Sequence, residues 1–205
     1  MEYTLGKQAV DVGASKFKES LSKLNFEKIR KYLDVTNSYV LEKILLIVFP
    51  FYYKDITFGE SLYRPDLYIP VMSLITLNVF KAFLLGLSKQ FHPERLVMFF
   101  SRALIIHIIL GFIDKGIAYF ADISVDYLDL LCFIGYKYVS IFLIKVCKLF
   151  YLGKFLSLYF YIAFFFFLSR SLKSAFITPS SPKQHLYALF LMVGLEIISI
   201  FFFSL

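Results

Sequence analysis

The sequence has few of the residues on which metal sites and disulfide-linked domains depend. It contains two cysteines and three histidines among 205 residues. Cys132 and Cys147 fall in one hydrophobic stretch, so they supply neither a disulfide framework nor the four ligands of a structural zinc site. The histidines, His92, His107 and His185, are spread over different segments. We therefore expect no metal site and no cofactor.

Motifs of catalysis and nucleotide binding are also missing. The chain has no Ser-His-Asp arrangement, no HExxH and no glycine-rich phosphate-binding loop. A membrane-bound hydrolase or acyltransferase would need a nucleophile and a base, or paired carboxylates, near one membrane face. We predict that the protein is not an enzyme.

What the chain has in excess is apolar surface. Its residues are 59% hydrophobic and its mean hydropathy is +0.71, whereas a soluble domain is about 45–50% apolar. A short soluble chain could not bury 26 phenylalanines and 15 tyrosines, because small domains bury only about two-thirds of their unfolded surface. We predict an all-α fold, a polytopic transmembrane helical bundle preceded by amphipathic N-terminal helices.

Five segments are long enough to cross a bilayer core of about 30 Å, which takes roughly 20 helical residues. The N-terminal MEYTLGKQAV lacks the layout of a signal peptide, so we expect these segments to direct insertion. Spans three and four nearly touch, and a merged span is the alternative, although Gly153 and Lys154 favour a tight hairpin. The predicted spans are 67–88, 96–120, 127–149, 152–168 and 186–205, within a transmembrane domain at 65–205 that follows a cytosolic basic segment at 1–64.

Basic residues are concentrated before the first span. The net charge is +7, and residues 1–66 hold ten of the 22 lysines and arginines. This pattern is typical of a cytosolic flank next to anionic membrane lipid, so we expect no nucleic-acid partner. With a cytosolic N-terminus, thirteen basic residues outside the spans lie on the cytosolic side and four on the other. We therefore expect a lumenal C-terminus.

Two segments precede the first span. Ser15–Leu33 places apolar residues among lysines, which indicates an amphipathic helix. Tyr39–Tyr53 is more apolar, but its uncharged run, Ile44–Tyr53, is too short to span a membrane and contains a proline. We interpret it as an interfacial or helix-docking segment with its aromatic residues at headgroup level. Its candidate partner-binding residues are Tyr39, Leu41, Phe49, Pro50 and Phe51.

Ionisable residues inside spans cost a few kcal/mol each unless they are paired or can reach the interface. Several lie within a few turns of a span end, where the side chain can snorkel to water: Lys81, Arg102, Asp114, Lys115 and Lys145. His107 lies deeper, and we expect a neutral imidazole that is hydrogen-bonded within the bundle.

Two charges fall near the middle of their spans. Lys137 is in the third span and Glu196 in the fifth. We hypothesise that they form an intramembrane ion pair that fixes the packing of those helices. In the alternative, Lys137 snorkels and a protonated Glu196 faces Ser199 or the backbone.

Four stretches carry a resemblance to a known family: Tyr39–Asp55, PDLYIPVMSLIT at Pro65–Thr76, DLLCFIGYKYV at Asp129–Val139, and LSRSLK at Leu168–Lys173. In their order and their position relative to five spans, they resemble the Yip-interacting factor family. The most specific block at the first span is Asp66, Leu67, Tyr68, Ile69 and Pro70. The block in the third span is Gly135, Tyr136, Lys137 and Tyr138.

The resemblance implies a five-span protein of endoplasmic reticulum and Golgi membranes and transport vesicles. It implies a non-enzymatic adaptor in ER-to-Golgi transport that binds a Yip-type membrane protein and prenylated Rab GTPases. Family members often carry a longer Pro/Gly/Gln-rich tail, whereas about 38 residues precede Tyr39 here, so contacts made through that tail are in doubt. The alternative is a small membrane channel, transporter or lipid-handling protein, although Gly111, Gly135 and Gly194 are too scattered to indicate broken helices.

Overall fold

The structure of the protein, a computed structural model, describes residues 26–51, 64–150, 154–176 and 182–204. All regular secondary structure in these ranges is α-helical. The helices are α1 (Phe26–Leu33), α2 (Asn37–Val48), α3 (Tyr68–Leu87), α4 (Pro93–Phe120), α5 (Tyr127–Gly135), α6 (Lys137–Leu149), α7 (Lys154–Phe176) and α8 (Pro182–Ser204).

Helix α1 belongs to a compact unit that ends at Asp34, and the remaining helices form a second unit from Val35 onward. Within the first unit, α1 carries basic residues in its last turn, at Arg30 and Lys31. Helix α1 confirms the C-terminal part of the predicted amphipathic helix Ser15–Leu33. Residues 15–25 lie outside the part of the chain that the structure describes.

Five helical stretches of the described chain are long and apolar enough to cross a membrane, as predicted. They are Tyr68–Leu87, Pro93–Phe120, Tyr127–Leu149, Lys154–Ala175 and Lys183–Ser204, here called spans one to five. Spans three and four are separate, as the hairpin interpretation required.

The expected polar link between spans four and five is mostly helical. It was placed at Ser169–His185, but α7 continues to Phe176 and α8 already begins at Pro182. Arg170 and Lys173 make this stretch polar, yet both residue types have good helix propensity, so the helix continues past its apolar part. The helix that contains predicted span four therefore ends eight residues after Leu168.

Helices α3 and α4 end in the same type of C-terminal cap. After α3, Lys89 adopts a φ of 55° and the Gln90 amide donates to the Leu85 carbonyl. After α4, Asp122 adopts a φ of 58° and the Ile123 amide donates to the Ala118 carbonyl. Such left-handed caps satisfy the last carbonyls of a helix and reverse the chain within a few residues.

Span three forms the centre of the second unit. Of its membrane-crossing stretch 72% is buried, against 11% for span two. Its second half, α6, packs against α2, α3, α7 and α8, while its first half, α5, packs chiefly against α4. The other spans are thereby arranged around span three.

Span three is interrupted near its middle. Helix α5 ends at Gly135, Tyr136 lies in a turn, and α6 begins at Lys137. The Val139 amide bonds the Tyr136 carbonyl at 3.1 Å, an i to i+3 contact tighter than that of an α-helix. This interruption was not expected from the scattered glycines.

Helix α2 packs against α7 and α6 with a face that contains Lys43, Leu46 and Ile47. This packing agrees with the interpretation of Tyr39–Tyr53 as a helix-docking segment. The rings of Phe49 and Phe51 lie 6.3 and 4.9 Å from those of Tyr159 and Phe166 in span four. Their depth relative to the lipid headgroups stays a prediction.

Gly135 provides the space in which span one approaches span three. A Cβ at this position would lie 2.5 Å from Cβ of Pro70, and therefore Gly135→Ala forces rigid helices apart. We expect it to destabilise the protein by about 1–3 kcal/mol. Gly194→Ala is the matched control, because a Cβ there meets nothing within 4 Å. Thermal unfolding in detergent measures both; equal midpoints for the two variants would contradict the close approach.

Candidate functional site

The two sequence blocks that carry the family resemblance meet in space at Asp66. Its side chain is buried, and Oδ2 accepts a hydrogen bond from the Tyr136 hydroxyl at 2.6 Å. The same hydroxyl accepts the Asp66 backbone N–H at 3.0 Å. Oδ1 accepts the backbone N–H of Ile69 at 3.0 Å, in the first turn of α3. The start of span one is thus joined to the middle of span three.

Lys43 of α2 completes this network. Its ammonium lies 2.7 Å from Asp66 Oδ2 and 2.7 Å from the Tyr39 hydroxyl, and it also donates to the Arg64 carbonyl. These contacts use the three donors that a lysine has. The ammonium also lies 4.6 Å from the centroid of the Tyr136 ring, a cation–π distance. We call Lys43, Asp66, Tyr39 and Tyr136 the anchor cluster.

Burial controls the protonation of two members of the anchor cluster. It lowers the pKa of Lys43 below its ordinary value, and the Asp66 carboxylate acts in the opposite direction. Burial also raises the pKa of Tyr39, and here the negative charge of Asp66 adds to the effect. The Tyr39 hydroxyl therefore stays protonated and can donate.

The four residues of the GYKY block face three neighbouring elements: the start of span one, span five and span two. Gly135 faces Pro70 of span one, and Tyr136 faces Asp66. Lys137 contacts span five, and the Tyr138 hydroxyl donates to the Ala103 carbonyl of span two at 3.1 Å. Consecutive helical residues point about 100° apart, so four of them in a central span can address surrounding elements on all sides.

The expected contact between Lys137 and Glu196 is present. The Lys137 ammonium lies 2.9 Å from Glu196 Oε2 and 3.1 Å from the Ser199 hydroxyl. The lysine is 0% exposed and the glutamate 1% exposed. Snorkelling by Lys137, the alternative, does not occur in this structure.

Polar residues near span ends follow the snorkelling expectation only in part. Arg102 is exposed, and Lys115 donates to the Val125 carbonyl in the connection after span two. Lys81 lies over the ring of Phe99 at 3.7 Å. Asp114 is the exception: it is 2% exposed, and within the described chain its Oδ1 has no hydrogen-bond partner.

His107 is partly buried in span two, with its ring 5.6 Å from that of Tyr138. Within the described residues its Nδ1 has no hydrogen-bond partner. The ring does form a hydrogen bond with the backbone of Leu131 in span three, which is the kind of contact expected inside the bundle. Among those residues, no group of three His, Cys, Asp or Glu side chains could hold a metal ion.

The candidate partner-binding residues of α2 separate into two sets. Leu41, Phe49 and Phe51 are exposed, whereas Tyr39 is half-buried and Pro50 is buried. Sequence reasoning missed Lys43 and its pairing with Asp66. The available signal was a single lysine within the apolar segment Tyr39–Tyr53.

Removing one charge of the Lys43–Asp66 pair leaves the other buried without a counter-charge. We expect Lys43→Met to destabilise the protein by about 3–5 kcal/mol, the usual range for breaking a buried pair. Lys43→Met combined with Asp66→Asn should recover part of that loss. Thermal unfolding in detergent measures the double-mutant cycle, and Glu42→Gln, on the exposed face, is the control. Additive effects of the two substitutions would argue against the pairing.

The Lys137–Glu196 pair allows a charge-exchange experiment. Lys137→Glu places two carboxylates in contact, so we expect loss of the monodisperse protein on gel filtration in detergent. Lys137→Glu with Glu196→Lys restores opposite charges and should restore that peak. Lys173→Glu, at an exposed site of α7, controls for the charge change alone. The pairing would be refuted if the exchanged variant behaved no better than the single one.

Comparisons with known proteins place this arrangement in a family. The family model described as YIF1 matches residues 1–202. "Protein transport protein yif1" of Schizosaccharomyces pombe is 32% identical over 238 residues, covering 100% of this chain and 81% of the relative. "Protein YIF1A" of Danio rerio is 31% identical over 196 residues, with 88% of this chain and 63% of the relative covered.

"Protein transport protein YIF1" of Saccharomyces cerevisiae is 27% identical over 216 residues, covering 87% of this chain and 69% of the relative. The chain therefore spans between 63% and 81% of the length of these three relatives. No solved structure matches. The family model covers nearly all of the chain, and the chain belongs to the YIF1 family.

Proposed function

We propose that this chain is a non-enzymatic membrane adaptor in vesicle-mediated protein transport between the endoplasmic reticulum and the Golgi. Two relatives that cover most of the chain are named protein transport proteins, which supports a transport role. The observation that best supports the adaptor role is the way in which α2 packs against the spans. One face of this helix is fixed to the spans and the other presents apolar side chains.

The apolar side chains of α2 form a row on its outer face. Leu41 and Leu45 are 64% and 46% exposed. Residues four apart lie above one another on a helix, so these two make one continuous ridge. We call it the α2 ridge. Because the anchor cluster fixes the opposite face, the ridge can meet a partner without rearrangement of the helix.

A Yip-type membrane protein and prenylated Rab GTPases are the partners that we propose. Transmembrane helices associate laterally through packing, and α4 supports such contact because most of its surface faces outward. The excess of basic residues before span one supports a cytosolic N-terminus and a lumenal C-terminus. In that orientation the connections before span one would face the compartment that holds the GTPases.

Photo-crosslinking from the α2 ridge tests the adaptor function. A photo-reactive residue at Leu41, in membranes from the native organelles, should capture a Yip-type protein or a Rab. The double variant Leu41→Ser with Leu45→Ser should lower recovery of that partner at least about fivefold, because each loses an exposed apolar contact. The matched control is Leu158→Ser, an exposed leucine of α7 that lies outside the ridge.

A specific observation favours the second candidate, a small channel, transporter or lipid-handling protein. Span three has a tightened turn at Tyr136, and local departures from α-helical geometry also occur in the spans of transporters. The purified chain in liposomes discriminates the two functions. Solute flux or lipid transfer, together with failure to recover either proposed partner, would refute the adaptor function.

A further inference from the structure

Helix α2 enters the membrane beside the spans without crossing it. Its first turns lie at Asp66, just before span one, through the contacts of Lys43. Its last carbonyl, that of Val48, accepts the Tyr159 hydroxyl at 2.9 Å.

The residues near Tyr159 indicate on which side of the membrane it lies. Tyr161, two residues on, is hydrogen-bonded to Ser204, the last residue of span five. Lys148, at the end of span three, also donates to Ser204. Spans three and five both end on the side opposite Asp66. Helix α2 therefore runs from Asp66 to Tyr159 at the depth of the membrane-crossing parts of spans one, three and four.

A groove lies between α2 and spans one and three at this depth. Its volume is about 240 Å³, and the side chains that line it include Val40 and Ile44 of α2, Met72 and Thr76 of span one, and Phe142 and Leu143 of span three. Met72 is 45% exposed, so the groove opens on the surface that faces lipid.

The surface of the groove is almost entirely apolar. The Ser73 hydroxyl donates to the Pro70 carbonyl at 2.9 Å, and the Thr76 hydroxyl donates to the Met72 carbonyl at 2.8 Å. The groove therefore offers almost no free hydrogen bond to a ligand.

We propose that this groove binds one acyl chain of a phospholipid. Its size limits the occupant: a helix with side chains is about 10–12 Å wide, which is too large for a groove of about 240 Å³. A single hydrocarbon chain fits where a partner helix does not. The groove is thus a lipid site distinct from the α2 ridge.

Photo-labelling tests the site. The full chain is reconstituted in phosphatidylcholine vesicles that contain a phosphatidylcholine with a diazirine in one acyl chain, then irradiated and digested. We expect labels on the α2 and span one peptides of the groove at least about fivefold above those at Val79, an exposed residue of span one. Labelling no denser in the groove than at Val79 would overturn the site.

Two substitutions sharpen the result. Ile44→Trp fills the groove and should reduce its labelling at least about fivefold, while Leu45→Trp, the neighbour on the exposed ridge, should not. If Ile44→Trp does not give a monodisperse protein, Val40→Phe replaces it. Unchanged groove labelling in a folded, filled variant would refute the proposal. Stronger labelling by a photo-reactive isoprenoid than by the phosphatidylcholine would refute the assignment to a phospholipid chain.

The lipid site and the adaptor function are tested by independent experiments. The photo-labelling uses purified protein and lipid alone, so its result does not depend on a Yip-type protein or a Rab. Loss of partner crosslinking from Leu41 with normal groove labelling would leave the lipid site standing.

Discussion

The burial of the Asp66 carboxylate is the constraint on which the arrangement of α2, span one and span three depends. A carboxylate away from water needs a cation and hydrogen-bond donors, or its burial costs several kcal/mol. Lys43 supplies the cation, and the Tyr136 hydroxyl and the Ile69 amide supply donors. These groups belong to three different elements. None of the three can move without leaving the carboxylate short of a partner.

Span three applies the same principle to the remaining spans. Lys137 requires a carboxylate, which Glu196 provides from span five, and the Tyr138 hydroxyl requires an acceptor, which Ala103 provides from span two. Apolar packing between membrane helices is weakly directional because lipid chains are as apolar as the side chains. Polar contacts have defined partners and distances. They therefore fix which faces of the helices meet, and the turn at Tyr136 places consecutive polar side chains towards different neighbours.

Hydropathy predicted the number and approximate position of the spans because length and apolar character are local properties. The helix of span four continues past its predicted end, since Arg170 lowers hydropathy without ending a helix. The contact of Lys137 with Glu196 could be predicted because two charges near mid-span need partners. The pairing of Asp66 with Lys43 could not, since both lie outside the predicted spans, where water would ordinarily solvate them. Only the folding of α2 against the bundle removes that water.

A helix that ends inside a membrane exposes carbonyl groups which lipid cannot satisfy. The structure meets this cost at the tip of α2, where Tyr159 donates to the Val48 carbonyl and the Phe49 amide bonds the Leu45 carbonyl. The helix is therefore held at both ends, by the anchor cluster where it starts and by span four where it stops. A partner that meets the α2 ridge would contact a surface whose depth and orientation the spans already determine. Such a surface favours recognition by shape within the membrane over recognition by a flexible tail.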